Sequence, residues 1–386
     1  MPPTCYLHVG GYKTGTTYLQ RRLIAGRAAL RASGVLVPGT KGIGEHVRAG
    51  KVIMGRPDLR GRPIPDTAWY DLRDEMLGFD GPAAVYSYEE LCAATKQEAR
   101  RMVDDLAPAE VRVVLTARDL VRVIPAAWQE VMQGGQQWTW EQYVDTITSK
   151  AGRAVPPGRA FWRNNDMVAV AERWAGAVGA DGVTIVTVPP TGAPADLLWD
   201  RYCAAVGTDP AVFPPDVAAV NESLDIASAE LLRRFNVRTA DSLPTHVYDR
   251  EVKWFVAKDV LAARSGTERV RLDGPRASWA RAEGERTADG LRLLGVRVEG
   301  DLGDLVGTAT GGPSTPAPRA EEMLDAAIDV MAALVRRLGE RSVTNPEHPA
   351  AAASRPALEP PRLAPADRAR RVAGRLLRDA YDRRRR

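Results

Sequence analysis

Short apolar runs that alternate with helical patterns constrain the fold of this chain most. The runs cover residues 6–9, 83–88, 111–115 and 183–188, with a fifth candidate at 296–298. Helical spacing also predicts helices over residues 166–178, 196–206, 223–235, 249–264 and 321–338. Because the apolar runs do not alternate with polar residues, we expect strands that are buried on both faces, as in a parallel sheet. The pattern predicts an α/β fold of three layers, with a mainly parallel sheet flanked by helices.

The composition indicates a folded body followed by a tail of different character. Of the 386 residues, 45% are hydrophobic and 26% are charged, which excludes a wholly disordered or fibrous chain. We expect one domain over residues 1–342. Within it, residues 38–80 are expected to be an excursion on the substrate side, since they are rich in Gly, Pro, Arg and His and too long for a usual connection. Residues 343–386 are expected to form a flexible linker rich in Pro and Ala, followed by a basic tail.

The positive charge of the chain is concentrated in its tail. The formal net charge is +4, but residues 362–386 contain ten arginines and three aspartates, so the remainder carries −3. The folded body therefore has no signature of nucleic-acid binding. An apolar helical stripe among the arginines of residues 367–386 predicts at most a weak contact with an anionic surface, and a solvated tail is the alternative.

Cysteine and histidine usage indicates a cytoplasmic protein without a metal centre. The three cysteines, Cys5, Cys92 and Cys203, are far apart and odd in number, which favours reduced thiols. The four histidines have no cysteine or histidine partner at the spacing of a zinc site. Basic residues are scattered through the first thirty positions, and no apolar run is long enough to span a membrane. We therefore expect a cytoplasmic location and no metal.

The most informative motif lies between the first predicted strand and the helix that follows it. It reads Gly10-Gly11-Tyr12-Lys13-Thr14-Gly15-Thr16-Thr17. Glycines allow a tight turn with inward amides, and a helix start adds about half a positive charge. Lys13 and the threonine hydroxyls add donors, so the loop is expected to hold a phosphate. It is not a Walker A loop, because Lys13 precedes Gly15 by two residues instead of following it directly.

The order of residues in this loop resembles the 5′-phosphosulfate loop of sulfotransferases that use 3′-phosphoadenosine 5′-phosphosulfate (PAPS). The resemblance extends over about residues 6–235, with supporting segments at 34–39, 87–89 and 221–224. It implies that Lys13 acts in catalysis as well as in binding. It also implies a set of PAPS-binding residues: Gly11, Tyr12, Lys13, Thr14, Gly15, Thr16 and Thr17. Asn221 and Ser223 are either nucleotide contacts or the cap of the next helix.

A second segment resembles the 3′-phosphate motif of the same family. In that motif an Arg at the end of a strand and a Ser eight residues later bind the ribose 3′-phosphate. Arg118 matches the first position, and its planar fork suits a phosphate. Ala126 occupies the second position and has no hydroxyl. Thr116 or backbone amides could supply the missing donor.

Two residues are candidates for the base that accepts a proton from the acceptor hydroxyl. Glu89 follows a predicted strand and is therefore expected at the carboxyl edge of the sheet, where open α/β folds bind ligands. Its alternative role is an acidic residue in the first turn of the next helix. His46 lies in the excursion, and an ordinary pKa near 6.5 suits a base at neutral pH. Since both residue types serve in branches of the family, the resemblance leaves the choice open, and we favour Glu89.

The resemblance implies a P-loop-like sulfotransferase fold and a bacterial, PAPS-dependent transferase. Such an enzyme moves a sulfuryl group by in-line displacement to a hydroxyl of a carbohydrate, lipid or natural product, and releases adenosine 3′,5′-bisphosphate. One alternative is an ATP-dependent kinase with an atypical loop, for which Asp119 is the candidate magnesium ligand. Another is a non-catalytic nucleotide-binding scaffold that acts through the basic tail. The sequence carries no readable code for the acceptor or for the oligomeric state.

Overall fold

The computed structural model describes residues 2–212, 223–264, 268–308, 313, 315 and 317–344, with only the backbone for residues 341–344. Its strands are β1 (Thr4–Gly10), β2 (Val35–Leu36), β3 (Ala83–Ser87), β4 (Val111–Ala117), β5 (Val183–Thr187) and β6 (Arg297–Glu299). They form one six-stranded sheet in the order β2-β3-β1-β4-β5-β6, and every neighbouring pair is parallel. The predicted α/β fold with a mainly parallel sheet is confirmed.

Helices flank this sheet, and further helices form the part of the described chain that has no strands. The α-helices of the described residues are α1 (Thr16–Ala25), α2 (Arg27–Ala32), α3 (Ile43–Ile53), α4 (Thr67–Leu77), α5 (Lys96–Asp105), α6 (Leu120–Gln133), α7 (Trp140–Thr148), α8 (Gly158–Asn165), α9 (Met167–Val178), α10 (Leu197–Val206), α11 (Ile226–Thr239), α12 (Thr245–Val247), α13 (Gly274–Leu294) and α14 (Ala320–Thr344). A π-helix, Tyr248–Leu261, follows α12 directly. Short 3₁₀ turns lie at Glu89–Ala93, Ala151–Ala154, Pro210–Val212 and Leu302–Leu305.

The sheet has a packed core on each face, which explains why its strands read as continuous apolar runs. Cys5, Leu7 and Val9 of β1 are fully buried on one face, in a core that includes side chains of α3, α4, α5, α9 and α13. Val85 and Val114 point to the opposite face and pack with side chains of α1, α2 and α10. Because side chains alternate between the faces of a strand, both sets of positions must be apolar for both cores to form.

Several helices are absent from the sequence prediction, and those of residues 38–80 and α13 show the reason. Residues 38–80 were expected to be an irregular excursion, but they contain α3 and α4. The buried residues of α3 include His46 and Gly50, which hide the apolar spacing on which the prediction relied. In α13 the buried positions include Ala277, Ala280 and Gly284, and such small residues give little periodic signal. The role of residues 38–80 toward a substrate stays a prediction.

The described residues divide into two compact units. The first contains the sheet and lies within Met1–Ala127, Thr146–Ala219 and Leu272–Pro313. The second lies within Trp128–Asp145, Val220–Arg271 and Ser314–Arg386 and is helical. In the second unit, α14 packs against α11 and the π-helix. Over the described residues, no helix is both long and apolar enough to cross a membrane. The predicted linker and basic tail, residues 345–386, lie outside the described residues.

Candidate functional site

Residues 10–17, called the phosphate loop for their predicted role, lie where the strand order of the sheet reverses. From β1 the chain leads to β2 and β3 on one side, whereas β4, β5 and β6 lie on the other side. Open parallel sheets bind ligands outside the carboxyl ends of their strands at such a point. Gly10 is the last residue of β1, and Arg118 directly follows the last residue of β4. The two motifs predicted from the sequence therefore meet at this edge.

The backbone of the loop is held in conformations that few side chains tolerate. A Cβ atom at Gly10 would lie 2.1 Å from Cγ2 of Thr16, so only glycine fits there. Gly15 has a φ of +82° and precedes α1, whose first turn receives no hydrogen bond from a capping side chain. Lys13 has a φ of +65°, and among the described residues no other non-glycine residue has a positive φ. A left-handed non-glycine residue costs about 1–3 kcal/mol and is typical of functional loops.

Thr14 ties the loop to strand β4. Its buried hydroxyl Oγ1 donates to the carbonyl oxygen of Gly11 at 2.7 Å. The same oxygen lies 2.7 Å from Oγ1 of Thr116, which is also fully buried. The backbone N–H of Gly11 donates to the carbonyl oxygen of Thr116 at 3.3 Å. These contacts fix the loop against the neighbouring strand, and they commit the Thr116 hydroxyl to Thr14.

Arg118 supports the loop from the end of β4. Its Nη1 donates to the backbone carbonyl oxygen of Lys13 at 3.0 Å. Its Nε is buried and has no hydrogen-bond partner among the described residues. The pKa of Arg118 is lowered to about 10, chiefly by burial and also by the charge of Arg122, while the charge of Asp119 opposes the shift. The guanidinium is still protonated at neutral pH, so it presents a positive charge beside the loop.

Asp119 is occupied by a neighbouring arginine. Its side chain is buried, and its two oxygens accept from the backbone N–H and from Nε of Arg122, the first at 2.9 Å. Arg122 also donates to the carbonyl oxygen of Pro189 at 2.9 Å. This carboxylate therefore anchors the first turn of α6. The described residues contain no group of three or more His, Cys, Asp or Glu side chains that could hold a metal ion.

Glu89 lies against the phosphate loop, as the sequence predicted for an acidic residue at this edge. It begins the 3₁₀ turn that follows β3, and its Oε2 accepts from the hydroxyl of Thr16 at 2.6 Å. Thr16 is buried and begins α1, so the carboxylate is fixed relative to the loop. Burial raises the pKa of Tyr12 well above its ordinary value, and the nearby carboxylates of Glu90 and Glu89 contribute to the increase. Thr17 is exposed.

Two arginines hold the turn that carries Glu89, and the sequence analysis did not find them. Arg163 of α8 donates to the carbonyl oxygen of Ala93 from Nε at 3.1 Å and from Nη2 at 2.6 Å. Arg173 of α9 donates through Nη2 to the carbonyl oxygen of Cys92. The carbonyl groups at the end of a helical turn otherwise need water or a capping group. No local pattern signals these contacts, because each arginine lies at least 70 residues from its acceptor.

His46, the other candidate base, lies in the core and not in an exposed loop. Its ring is fully buried and stacks on Tyr86, with the ring centroids 4.9 Å apart. Its Nδ1 accepts from the backbone N–H of Ser87 at 3.0 Å, so Nε2 carries the proton and donates to the carbonyl oxygen of Pro38 at 3.0 Å. Burial lowers the pKa of His46. Both ring nitrogens are engaged, which leaves neither of them to accept a substrate proton in this conformation.

The other predicted contacts have mixed outcomes. Ala126 lies on α6, half-buried, and contributes no donor in place of the family's serine. Thr116 is unsuited to replace that donor, because its hydroxyl pairs with Thr14. Asn221 lies outside the described residues. Ser223 is described and lies three residues before α11, which is capped by the side chain of Asp225 instead.

Comparison with solved structures gives a distant similarity. The chain is similar to a solved structure described as a sulfotransferase from Alicyclobacillus acidocaldarius, with a TM-score of 0.38 and 15% sequence identity. The similarity covers 57% of this chain and 86% of that chain. No protein-family model matches the sequence, and no curated protein matches it. At this degree of similarity, the function has to be argued from the residues of this chain.

Proposed function

We propose that this protein is a PAPS-dependent sulfotransferase that acts on the hydroxyl group of an acceptor. The observation that carries the proposal is the hydrogen bond from Arg118 to the carbonyl oxygen of Lys13. It joins the segments that resemble the 5′- and 3′-phosphate motifs of the family, which are more than a hundred residues apart in sequence. A glycine-rich turn of purely structural role would not require a buried guanidinium beside it.

Two features of the loop fit a nucleotide that carries phosphates at both ends of its ribose. The first is Nε of Arg118, a buried donor without a partner among the described residues. Buried donors normally have an acceptor, and a phosphate oxygen would supply one. The second is the start of α1, whose first amides receive no side-chain cap and therefore suit an anion. Lys13 and Arg118 bring positive charge to the loop, as such a ligand requires.

When bound, PAPS supplies an activated sulfuryl group on a phosphate that leaves readily. Lys13 and the amides at the start of α1 neutralise charge on sulfonate and 5′-phosphate oxygens, and Arg118 holds the 3′-phosphate. Glu89, fixed by Thr16, accepts the proton of the acceptor hydroxyl and so makes its oxygen more nucleophilic. Arg163 and Arg173 keep the Glu89 turn in place. The acceptor class remains that of a carbohydrate, lipid or natural-product hydroxyl.

Calorimetric titration with adenosine 3′,5′-bisphosphate tests the nucleotide site directly. We expect binding that needs no magnesium, that exceeds the binding of ADP and ATP, and that Lys13→Ala and Arg118→Ala weaken. Lys96→Ala and Arg281→Ala, at two exposed positions of the same unit, should leave the affinity unchanged. Preference for ATP with magnesium would support the kinase alternative and overturn the proposal.

The scaffold alternative is tested by removing residues 345–386. An enzyme built on the phosphate loop should keep its affinity for adenosine 3′,5′-bisphosphate and its turnover after this deletion, because none of the site residues lies in that segment. A protein that acts only through its basic tail should lose its partner. Wild-type protein that binds none of the nucleotides would contradict an enzymatic role.

A further inference from the structure

Helix α14 of the second unit has one face that packs within that unit. Ala326 is fully buried and Ala333 is nearly so. On the same side, the guanidinium of Arg337 lies 4.0 Å from the ring centroid of Phe255 and 3.4 Å from a carboxylate oxygen of Glu251. Asp329 forms an ion pair with Arg264. These contacts, together with the packing of α14 against α11, fix which side of the helix faces outward.

The opposite side of α14 carries an exposed apolar stripe, formed by Leu324, Ile328, Met331, Val335 and Leu338. Their exposed fractions range from 48% to 68%. The spacings are four, three, four and three residues, which is the seven-residue repeat of a coiled-coil seam. At 100° per residue, the stripe lies about 180° from the buried alanines. A helix with a single packed face would be expected to carry polar residues there.

This stripe is the main concentration of exposed apolar side chains on the described chain. Eleven large hydrophobic residues are exposed, and five of them belong to the stripe. Single exposed hydrophobic residues are common, but a continuous row of them marks a surface that another molecule covers. The neighbouring Ala332 is also exposed and small, so a second helix could approach closely.

The distribution of charge along α14 favours a second copy of the same helix. On the sides of the helix that flank the stripe, the first part carries Glu321 and Asp325 and the last part carries Arg336, whereas Asp329 and Arg337 are paired within the unit. An antiparallel partner of the same sequence would set the acidic part against the basic part. A parallel copy would set like charges side by side. The macrodipoles of two antiparallel helices point in opposite directions and also favour this arrangement.

The stripe is also nearly symmetric about Met331. Leu324 and Leu338 each lie seven residues from it, and Ile328 and Val335 lie three and four residues from it. An antiparallel pair centred on Met331 therefore places Leu324 opposite Leu338 of the other copy. It also places Asp325 and Arg336 of the two copies on the same flank and at nearly the same height. Because a two-fold axis relates the two copies, every contact in such a pair occurs twice.

We propose that the α14 stripe is the interface of an antiparallel homodimer. Because α14 is already folded within the second unit, dimerisation does not have to order it first. The seam contains only two heptads, so the interface is small, and we expect a dissociation constant on the order of micromolar.

Sedimentation of the full chain over roughly 1–100 μM tests the dimer. Wild-type protein should convert from monomer to dimer in this range. Met331→Lys should remain monomeric, because the dimer axis would bring two like charges together. Leu293→Lys, at a residue of the first unit that is 89% exposed, is the matched control and should dimerise as wild type does. A monomeric wild type, or a Met331→Lys variant that still dimerises through the same range, would overturn the proposal.

Charge exchange and cross-linking test the antiparallel orientation, and far-ultraviolet circular dichroism checks that each variant is folded. Asp325→Arg should weaken the dimer, and Arg336→Asp added to it should restore the dimer. The native cysteines are buried, so an introduced cysteine can be followed alone. With a mild oxidant, Met331→Cys should cross-link to its own copy, and Leu324→Cys should cross-link only when mixed with Leu338→Cys. Cross-linking of Leu324→Cys to itself would indicate a parallel pair and contradict the proposed geometry.

Discussion

The guanidinium of Arg118 and the backbone carbonyl of Lys13 lie 3.0 Å apart, although 105 residues separate them in sequence. This contact fastens the end of β4 to Lys13, the non-glycine residue of the phosphate loop that adopts a left-handed conformation. Arg118 is therefore a candidate phosphate ligand and also a support for the loop. The two roles can be separated by substitutions that keep the charge but change the shape of the side chain.

Arg118→Lys should lower the affinity for adenosine 3′,5′-bisphosphate roughly tenfold, and Arg118→Ala roughly a hundredfold. Lysine retains the positive charge but loses the fork that can contact the carbonyl of Lys13 and a phosphate together. Calorimetric titration measures both constants, with Arg281→Ala as the control. A lysine variant that binds as tightly as wild type would show that charge alone suffices and that the fork has no role.

Glu89→Gln should reduce sulfuryl transfer by about a hundredfold to ten-thousandfold and leave the bisphosphate affinity unchanged. The amide can still accept the hydrogen bond from Thr16, but it cannot accept a proton. Transfer is followed with labelled PAPS and a panel of sugar, lipid and phenol hydroxyls. Glu90→Gln is the control, since Glu90 is paired with Arg56. Equal loss in both variants would argue against a base role for Glu89.

Gly10→Ala should destabilise the first unit by about 1–3 kcal/mol, because the added Cβ would lie 2.1 Å from Cγ2 of Thr16. Thr16→Ser in the same chain removes that methyl group and keeps the hydroxyl that binds Glu89. The double variant should therefore recover part of the lost melting temperature. Gly176→Ala in α9, where an added Cβ meets nothing within 4 Å, should be neutral or slightly stabilising. A Gly10→Ala variant with unchanged melting temperature would contradict the close packing of the loop.

The buried histidines should make the protein less stable below about pH 6.5. Burial lowers the pKa of His8 to about 3 and also lowers that of His46. The unfolded chain takes up these protons near pH 6.5, whereas the folded chain does not. The free energy of unfolding is therefore highest above that pH. Each histidine then lowers the free energy of unfolding by about 1.4 kcal/mol per pH unit as the pH falls toward the pKa of that histidine in the folded protein.

Melting temperatures between pH 7.5 and 5 measure this dependence. His46→Asn keeps an acceptor for the Ser87 amide, so the variant should be less stable at pH 7.5 but lose less stability on acidification. The same loss with pH in wild type and variant would assign the effect to carboxylates and not to His46.

The sheet and the phosphate loop could be predicted because their signals are local. Residues 6–9 do not alternate between buried and exposed positions, since both faces of β1 are covered, and the loop follows directly. Glu89 was predicted at the sheet edge for the same reason, because it follows β3 in sequence. The contacts that complete the site are not local, and neither Arg163 nor Arg173 has a neighbour in sequence that reveals its acceptor.

His46 shows how a residue type can suggest a role that its surroundings do not support. In sequence it is a histidine among glycines and arginines, which suggested an accessible base. In the structure, helix α3 turns its ring into the core, where Ser87 and Pro38 use both nitrogens. Neither partner is near it in the chain. A cytoplasmic location and the role of the basic tail stay predictions.

The central place of β1 has a consequence for the nascent chain. Strand β1 is synthesised before the two strands that enclose it, β3 and β4, and β4 ends at Ala117. At about 5–20 residues per second, an apolar strand waits on the order of ten seconds on the ribosome before both its edges are paired. The loop that follows it cannot close until β4 arrives, because Thr14 and Lys13 are held by Thr116 and Arg118. The loop therefore becomes native only after the chain has been synthesised as far as β4 and Arg118.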